Sequence, residues 1–349
     1  GAYVQATGGS YFEASAIPSL SLTHEYLRGS YAASASAEIV RSSVEDVRLA
    51  AARAALSGEY QVDEATLASG ALSLALTRAG VNALGTSPTV ALQPLVFTGS
   101  ASGEIERDFA PFVITGSVDV SRGVYGPTTM VDTSTVDNSY SNNWAGGAGL
   151  RVGYRVTPIL TAFVDGSVGH QWYDTISPTY GVKLNATDIE GRVGLSAKWN
   201  EVLEAEASVG YGLRRFDDAA LGQSRSMLYD GSVTFRPDET LEIRGAFTTS
   251  FGAPGANSTG TARLEHAATG DLAYRVNPWL RLRASAGWTY AEILGTGGTE
   301  RAYNVGVGAD YLLNENATIT GDYGYSARES STSAPGDEHR VTLGITFSR

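Results

Sequence analysis

The chain has no cysteine, two methionines and, among 25 basic residues, only two lysines, Lys183 and Lys198. Without thiols there is no disulfide framework and no cysteine-ligated metal centre. The absence also suits an oxidising compartment, where an unpaired thiol is a liability. Basic charge is scarce: 37 acidic residues leave a formal net charge of -12, which offers nucleic acid no patch. No run of about eighteen apolar residues occurs, so no transmembrane helix is read. Gly1 opens no secretory leader, and the sequence reads as a mature or trimmed chain.

Glycine is abundant, at 41 of 349 residues, and so is tyrosine, at 18. Apolar and polar residues alternate in long stretches. In "WLRLRASAGWTY" (279–290), Leu280, Leu282, Ala284, Ala286, Trp288 and Tyr290 fall on one face of a strand. Arg281, Arg283, Ser285, Gly287 and Thr289 fall on the other. The same period recurs in 148–154, 203–212, 241–251 and 304–311. Helical spacing fits none of these windows better.

Short turn-like segments punctuate the strands: "YRVTPIL", "KWNEVLE", "FRPDETL", "YRVNPWL" and "YLLNENAT", with looser versions upstream. Their centres fall near residues 28, 63, 109, 157, 200, 238, 277 and 315. Each interval is long enough for a hairpin and a second, longer loop. Those longer loops are rich in Gly, Ser, Thr and Asp, as in 126–143, 252–261, 295–300 and 330–338.

Short turns at one end and long polar loops at the other are the asymmetry of a transmembrane barrel. The expectation is an all-β fold: one antiparallel up-and-down β-barrel domain over 1–349. It has about eighteen strands (sixteen being the alternative), with periplasmic turns and extracellular loops. The first strand falls in "GAYVQATG" and the last in "HRVTLGITF". A soluble sandwich array or propeller is the competing class, since blades also repeat near forty residues. Aromatics at strand ends favour the barrel, where they form two interfacial girdles. Tyr154, Trp199, Phe235, Tyr274, Trp279 and Tyr311 lie near turns, and Trp172, Trp288 and Tyr325 near loops.

From about residue 144 the chain resembles the Putative beta-barrel porin 2 family of Gram-negative bacteria. The likeness is carried by "AGLRVGYRVTP", "GRVGLSAKW", "EASVGYGLRRFDD", "GSVTFRPDETLEIR", "GDLAYRVNPWLRLRASAGWTY", "VGVGADYLLNENATITGDYGYS" and "HRVTLGITF". Upstream residues match in style only. The resemblance implies an outer-membrane barrel and an association with exopolysaccharide or capsule export.

If the apolar register meets lipid, the alternate register lines the lumen. Arg151, Arg155, Arg244, Arg275, Arg281, Arg283, Glu204, Glu206, Glu242 and Asp271 are then the candidate selectivity residues. So many ionisable groups need water or partners. The bland reading of each is an interstrand ion pair that holds the wall. Lumen-facing aromatics are few, Phe163 and Tyr173 among them.

Enzymatic readings are weak. The four histidines, His24, His170, His266 and His339, lie far apart, and no catalytic residue, metal ligand or cofactor is assigned. "DNSYSNN" (137–143) offers oxygens to Ca²⁺ but reads first as a solvated loop. "GTGGTE" opens no helix, so no phosphate loop is expected. Tripeptides of glycosylation type at Asn185, Asn257 and Asn316 mean little in this setting.

Two functions stay open. One is a porin-like channel for hydrophilic solutes or a secreted polysaccharide. The other is a structural or adhesive outer-membrane protein whose lumen is plugged, with the 126–143 loop as candidate plug. The expected partners are the bilayer, lipopolysaccharide, a saccharide or small solute, and periplasmic export proteins.

Overall fold

The computed structural model describes residues 1–6, 9–43, 47–78, 90–254, 260–331 and 335–348. Parts of the 252–261 and 330–338 loops, the Asn257 tripeptide and Arg349 lie outside the described residues. Nineteen strand segments form one sheet. Two of them, Gly9–Ala16 and Ser19–Tyr26, both pair with Gly29–Ser42. They are one wall strand, interrupted near Pro18, which has no backbone N–H to give the ladder. The wall therefore has eighteen strands, which excludes the sixteen-strand alternative.

In chain order they are β1 (Ala2–Ala6), β2 (the two segments above), β3 (Gly29–Ser42), β4 (Arg48–Asp63), β5 (Thr66–Arg78), β6 (Leu95–Phe109) and β7 (Phe112–Tyr125). Then come β8 (Asn143–Thr157), β9 (Leu160–Tyr173), β10 (Ala186–Trp199), β11 (Leu203–Phe216), β12 (Gln223–Phe235) and β13 (Leu241–Gly252). The last are β14 (Ala262–Asn277), β15 (Leu280–Leu294), β16 (Gly298–Asn314), β17 (Ala317–Ser330) and β18 (Gly336–Phe347). Neighbours in sequence are neighbours in the wall, and β1 pairs with β18 to close it. Closure removes the free edges that no lipid could satisfy.

All eight short turns lie where the sequence places them, and their chemistry recurs. A polar side chain at the end of the incoming strand accepts from the turn backbone. Asn277 Oδ1 takes the N–H of Trp279 and Leu280, each at 2.9 Å. Asp238 Oδ1 takes Thr240 at 2.7 Å and Leu241 at 3.1 Å. Asp63, Asp108 and Asn314 each take the N–H two residues on, at 2.9 Å. The side chain thus imitates a backbone turn and fixes the register of the hairpin.

The two registers face different solvents. Val152, Val164, Val193, Val209 and Tyr229 stand opposite one another across five successive strands, β8 to β12. All five are exposed, between 39% and 60%. Similar residues continue around the wall: Leu282, Val305, Val307, Leu343 and Ile345. An apolar belt this continuous would not persist in water, so its solvent is lipid. One residue along the ladder the row becomes Arg151, Asp165 and Arg192, side by side on β8, β9 and β10. A shift of one residue changes face. The girdle residues Tyr154, Trp199, Phe235, Tyr274, Trp279, Tyr311 and Trp172 are exposed on the apolar face. Trp288 stacks on Tyr290 at 6.4 Å, and Tyr325 packs on His339 at 4.8 Å.

The wall departs from this regularity at one seam. β12 and β13 pair only over Gly231–Phe235 and Ile243–Phe247. Above that point β12 stays paired with β11, and β13 stays paired with β14. The alternation places Thr249 and Phe251 on the lipid face. Instead Thr249 is fully buried, while Thr248 and Ser250 on the opposite face are exposed. The outward face of upper β13 has tucked behind the inward face of β11 and β12. A Cβ built on Gly212 of β11 would sit 3.0 Å from both Leu228 Cδ1 and Phe251 Cε2. Leu228 is accordingly fully buried. The overlap continues upward: Ala262 of β14 packs with Ala186 and Phe216, alongside Leu221 and Leu294.

Candidate functional site: the charged lumen

The inward register lines cavities along the turn-side half of the lumen. One, of about 620 Å³, is lined by Glu242, Arg244, Asp271, Arg281 and Arg283, with Asp322 and Arg340. A second, of about 750 Å³, is lined by Arg151, Arg155, Glu204 and Glu206, with Glu104 and Glu106. Arg275 faces a smaller space that it shares with Arg236 and Arg281. The ten sequence-derived lumen residues therefore gather in two groups on different parts of the wall.

Most of these charges are paired. Arg283 donates Nε to Asp310 and Nη2 to both Asp310 and Asp322, each at 2.8 Å. It ties β15 to β16 and β17. Arg151 makes two hydrogen bonds to Glu206, at 2.9 and 3.0 Å, and lies 3.5 Å from Asp165. Its guanidinium sits 4.1 Å from the centroid of Phe163. That ring lies against Gly194, where a Cβ would collide with it. Arg155 pairs with Asp108 at 2.6 Å, and Lys198 with Glu204 at 2.9 Å. Glu242 serves Arg236 at 3.0 Å and also Arg244. Paired in this way, each charge is held at a fixed place on the wall.

Arg275 and Arg281 differ. They stand directly opposite each other on β14 and β15, and among the described residues neither forms an ion pair. Asp271 stands opposite Arg244 and forms none either. Like charges opposed across a ladder repel. Arg281 also stands opposite Asp310 on β16, whose carboxylate turns to Arg283.

The loop-side half is different in kind. Inward-facing Tyr173, Arg214 and Phe216 are each only 4% exposed, whereas Lys198 near the turns has a side chain 75% exposed. Arg214 of β11 holds Asp188 of β10 through two 2.8 Å hydrogen bonds. It also donates Nη1 to the carbonyl of Gly252 on β13, at 3.0 Å. Its Nη2 reaches Gln171 Oε1 of β9, at 3.4 Å. Side chains and backbone of β9, β11 and β13 thus meet at this level. The candidate plug, 126–143, is joined by residues 90–92 and bonds to Leu95 and Asp174 through the backbone. Thr128–Met130, Thr135–Val136 and Val90–Leu92 make a small three-stranded ribbon. Asn138 Nδ2 closes it onto the Gly126 carbonyl at 2.8 Å and Thr128 Oγ1 at 2.7 Å.

Sequence reasoning missed Phe216, Tyr125 and Asp188 as parts of the loop-side lumen wall. Their signal was present: each lies in the inward register close to the loop end of its strand.

The family profile described as Putative beta-barrel porin 2 matches residues 2–349. No curated protein sequence matches the chain. Among solved structures it is similar to OccK5 (OpdH) of Pseudomonas aeruginosa, with 12% identity over 100% of this chain and 96% of that one, TM-score 0.42. It is similar to the ferripyoverdine receptor of the outer membrane of Pseudomonas aeruginosa, with 10% identity, covering 100% of this chain and 58% of that one, TM-score 0.46. The copper transporter OprC gives 10% identity over 100% of this chain and 64% of that one, TM-score 0.47. In the FpvAI–pyocin S2 complex the chain matches 60% of the compared chain, so it spans about three-fifths of the length of that neighbour.

Proposed function

The chain belongs to the Putative beta-barrel porin 2 family, and from that premise we propose that it is an outer-membrane channel for small hydrophilic solutes. The carrying observation is the inner wall itself. Ionised side chains line cavities of about 620 and 750 Å³ behind a continuous apolar belt. Charge at that density needs partners or water, and Arg275, Arg281 and Asp271, which form no ion pair among the described residues, favour a water-filled lumen. An eighteen-strand wall is wide enough to hold such water. On this reading the protein performs no chemical step. It binds its solute weakly and lets it pass, in a bacterial outer membrane with lipopolysaccharide outside.

The finer reading, passage of a secreted polysaccharide with periplasmic export partners, rests on family association. A second reading, a structural barrel closed at rest, is favoured by the burial of Tyr173, Arg214 and Phe216. One experiment separates them. Purified protein refolded into planar bilayers should give discrete conductance steps, and liposomes carrying it should swell in small sugars. A folded barrel with neither property would leave the structural reading.

A further inference from the structure

We propose that the loop-side part of β13 is a gate. In this structure it is tucked into the lumen and latched there by Arg214; released, it zips onto β12 and opens the loop-side half of the pore. The inference goes beyond the channel reading. Its gating consequence rests on that reading, while the movement does not.

One edge of β12 is left unpaired: the strand continues to Gln223, but among the described residues no strand pairs with its β13 side above Gly231. The split begins four residues above the girdle residue Phe235. At ~3.3 Å per residue along a tilted strand that is roughly 10 Å into the apolar band. Backbone groups left open at that depth are costly. Ser226 Oγ donates to the Met227 carbonyl at 3.0 Å and relieves one of them. Continuing the existing register past Gly231–Phe247 would supply the rest, with Tyr229 opposite Thr249 and Leu228 opposite Ser250.

β13 keeps its alternation through the split, with Phe247, Thr249 and Phe251 on one register and Thr248, Ser250 and Gly252 on the other. In a zipped wall Thr249 and Phe251 would join Tyr229 and Met227 on the lipid face, and the small polar residues would face water. The sequence is therefore suited to both positions.

Arg214, itself buried, is held by Asp188 and grips the Gly252 carbonyl, and its guanidinium lies 5.7 Å from the centroid of Phe251. Gly212 leaves the space that Leu228 and Phe251 fill together. The tucked state is stabilised by these contacts, and the zipped state by recovered ladder hydrogen bonds. A polar latch on one side and a handful of hydrogen bonds on the other make a bistable element.

The test uses the absence of cysteine. In a Tyr229→Cys/Thr249→Cys double variant, only zipping brings the two positions opposite each other. Oxidation of the folded, bilayer-inserted protein should form the disulfide, shift its non-reducing gel mobility and raise conductance, and reductant should reverse all three. Gly212→Leu should expel Phe251 and raise the open fraction with no oxidant. Arg214→Gln should do the same; losing a charge-assisted bond of ordinary strength shifts the tucked-to-zipped ratio roughly ten- to hundredfold. Heat-modifiable gel mobility reports that each variant is folded, and the cysteine pair leaves the latch intact if Arg214→Gln folds poorly. A disulfide that never forms, with Gly212→Leu conducting as the parent does, would make the tuck fixed architecture and overturn the proposal. A disulfide that forms with no change in conductance would show movement without gating and overturn the gate. Absence of conductance in every form would remove the channel reading and the gate with it, while the disulfide still reports the movement.

Discussion

Arg281 and Arg283 lie two residues apart on one strand and on one face, yet the structure assigns them different consequences for stability. Arg283→Ala would remove three hydrogen bonds to Asp310 and Asp322 and leave two carboxylates without their shared cation. Hydrogen bonds to charged groups contribute about 1.5–3 kcal/mol where solvent is excluded. The Arg283 side chain is 38% exposed, so water screens part of this. A loss of about 1–2 kcal/mol is expected. Arg281→Ala would remove a guanidinium that faces Arg275 across the ladder and forms no ion pair among the described residues. Relief of opposed like charges is worth about 0.2–1 kcal/mol in the other direction, and loss of Arg281 opposite Asp310 on β16 offsets it, so the net change is close to zero. The two variants should therefore differ by roughly 1–2 kcal/mol, with Arg281→Ala the more stable. Reversible urea unfolding from lipid vesicles, followed by tryptophan fluorescence, reads the difference directly. Equal costs at the two positions, or a neutral Arg283→Ala, would refute the division into clamped and free arginines.

Leu282→Arg puts a charge on the lipid face and should cost roughly 2–4 kcal/mol if near the midplane; Ser285→Arg, which enters the 620 Å³ cavity, should leave folding yield nearly unchanged. Arg275→Ala combined with Arg281→Ala should move the reversal potential in a salt gradient toward cations. The shift should shrink as ionic strength rises and the screening length falls below ~10 Å; a reversal potential that stays put would make the pair irrelevant to permeation. At the loop end of β7, Arg122 donates two hydrogen bonds to Asp174 of the loop region that follows β9, at 2.9 and 2.5 Å, and holds that carboxyl below the usual carboxylate range. A lowered pKa means the contribution is complete above the unfolded value of about 3.9 and fades as pH falls through the folded value. Asp174→Asn should thus speed proteolytic clipping of the 174–185 loop at neutral pH, and do little in strong acid, where the parent has lost the pair as well.

Strand number, turn positions and facing were legible because each has a local cause. A period of two residues assigns every side chain to lipid or lumen, as the exposed row Val152, Val164, Val193, Val209 and the charged row Arg151, Asp165, Arg192 bear out. The turns announce themselves because Asn277, Asp238 and Asn314 are needed as side-chain acceptors. Which charges pair was legible only in part. Alternation shows that Arg281 and Arg283 both face inward, but not that Asp310 and Asp322 lean toward one and leave the other. That depends on strand stagger, and no single strand encodes it.

The seam between β12 and β13 lies beyond local reading for a different reason. Thr249 and Phe251 satisfy the alternation equally well against lipid or against Gly212 and Leu228, since both surroundings are apolar. The pattern constrains the polarity of the neighbour and not its identity. What tips the balance is long-range: the Arg214 guanidinium, held by Asp188 on the adjoining strand, presents a donor to the Gly252 carbonyl of β13. A wall strand with two apolar partners available and one polar latch to choose between them is where an otherwise regular barrel can change shape. If the proposed gate operates, the variable part of the barrel is its wall, while the 126–143 segment is held in a separate ribbon with Val90–Leu92.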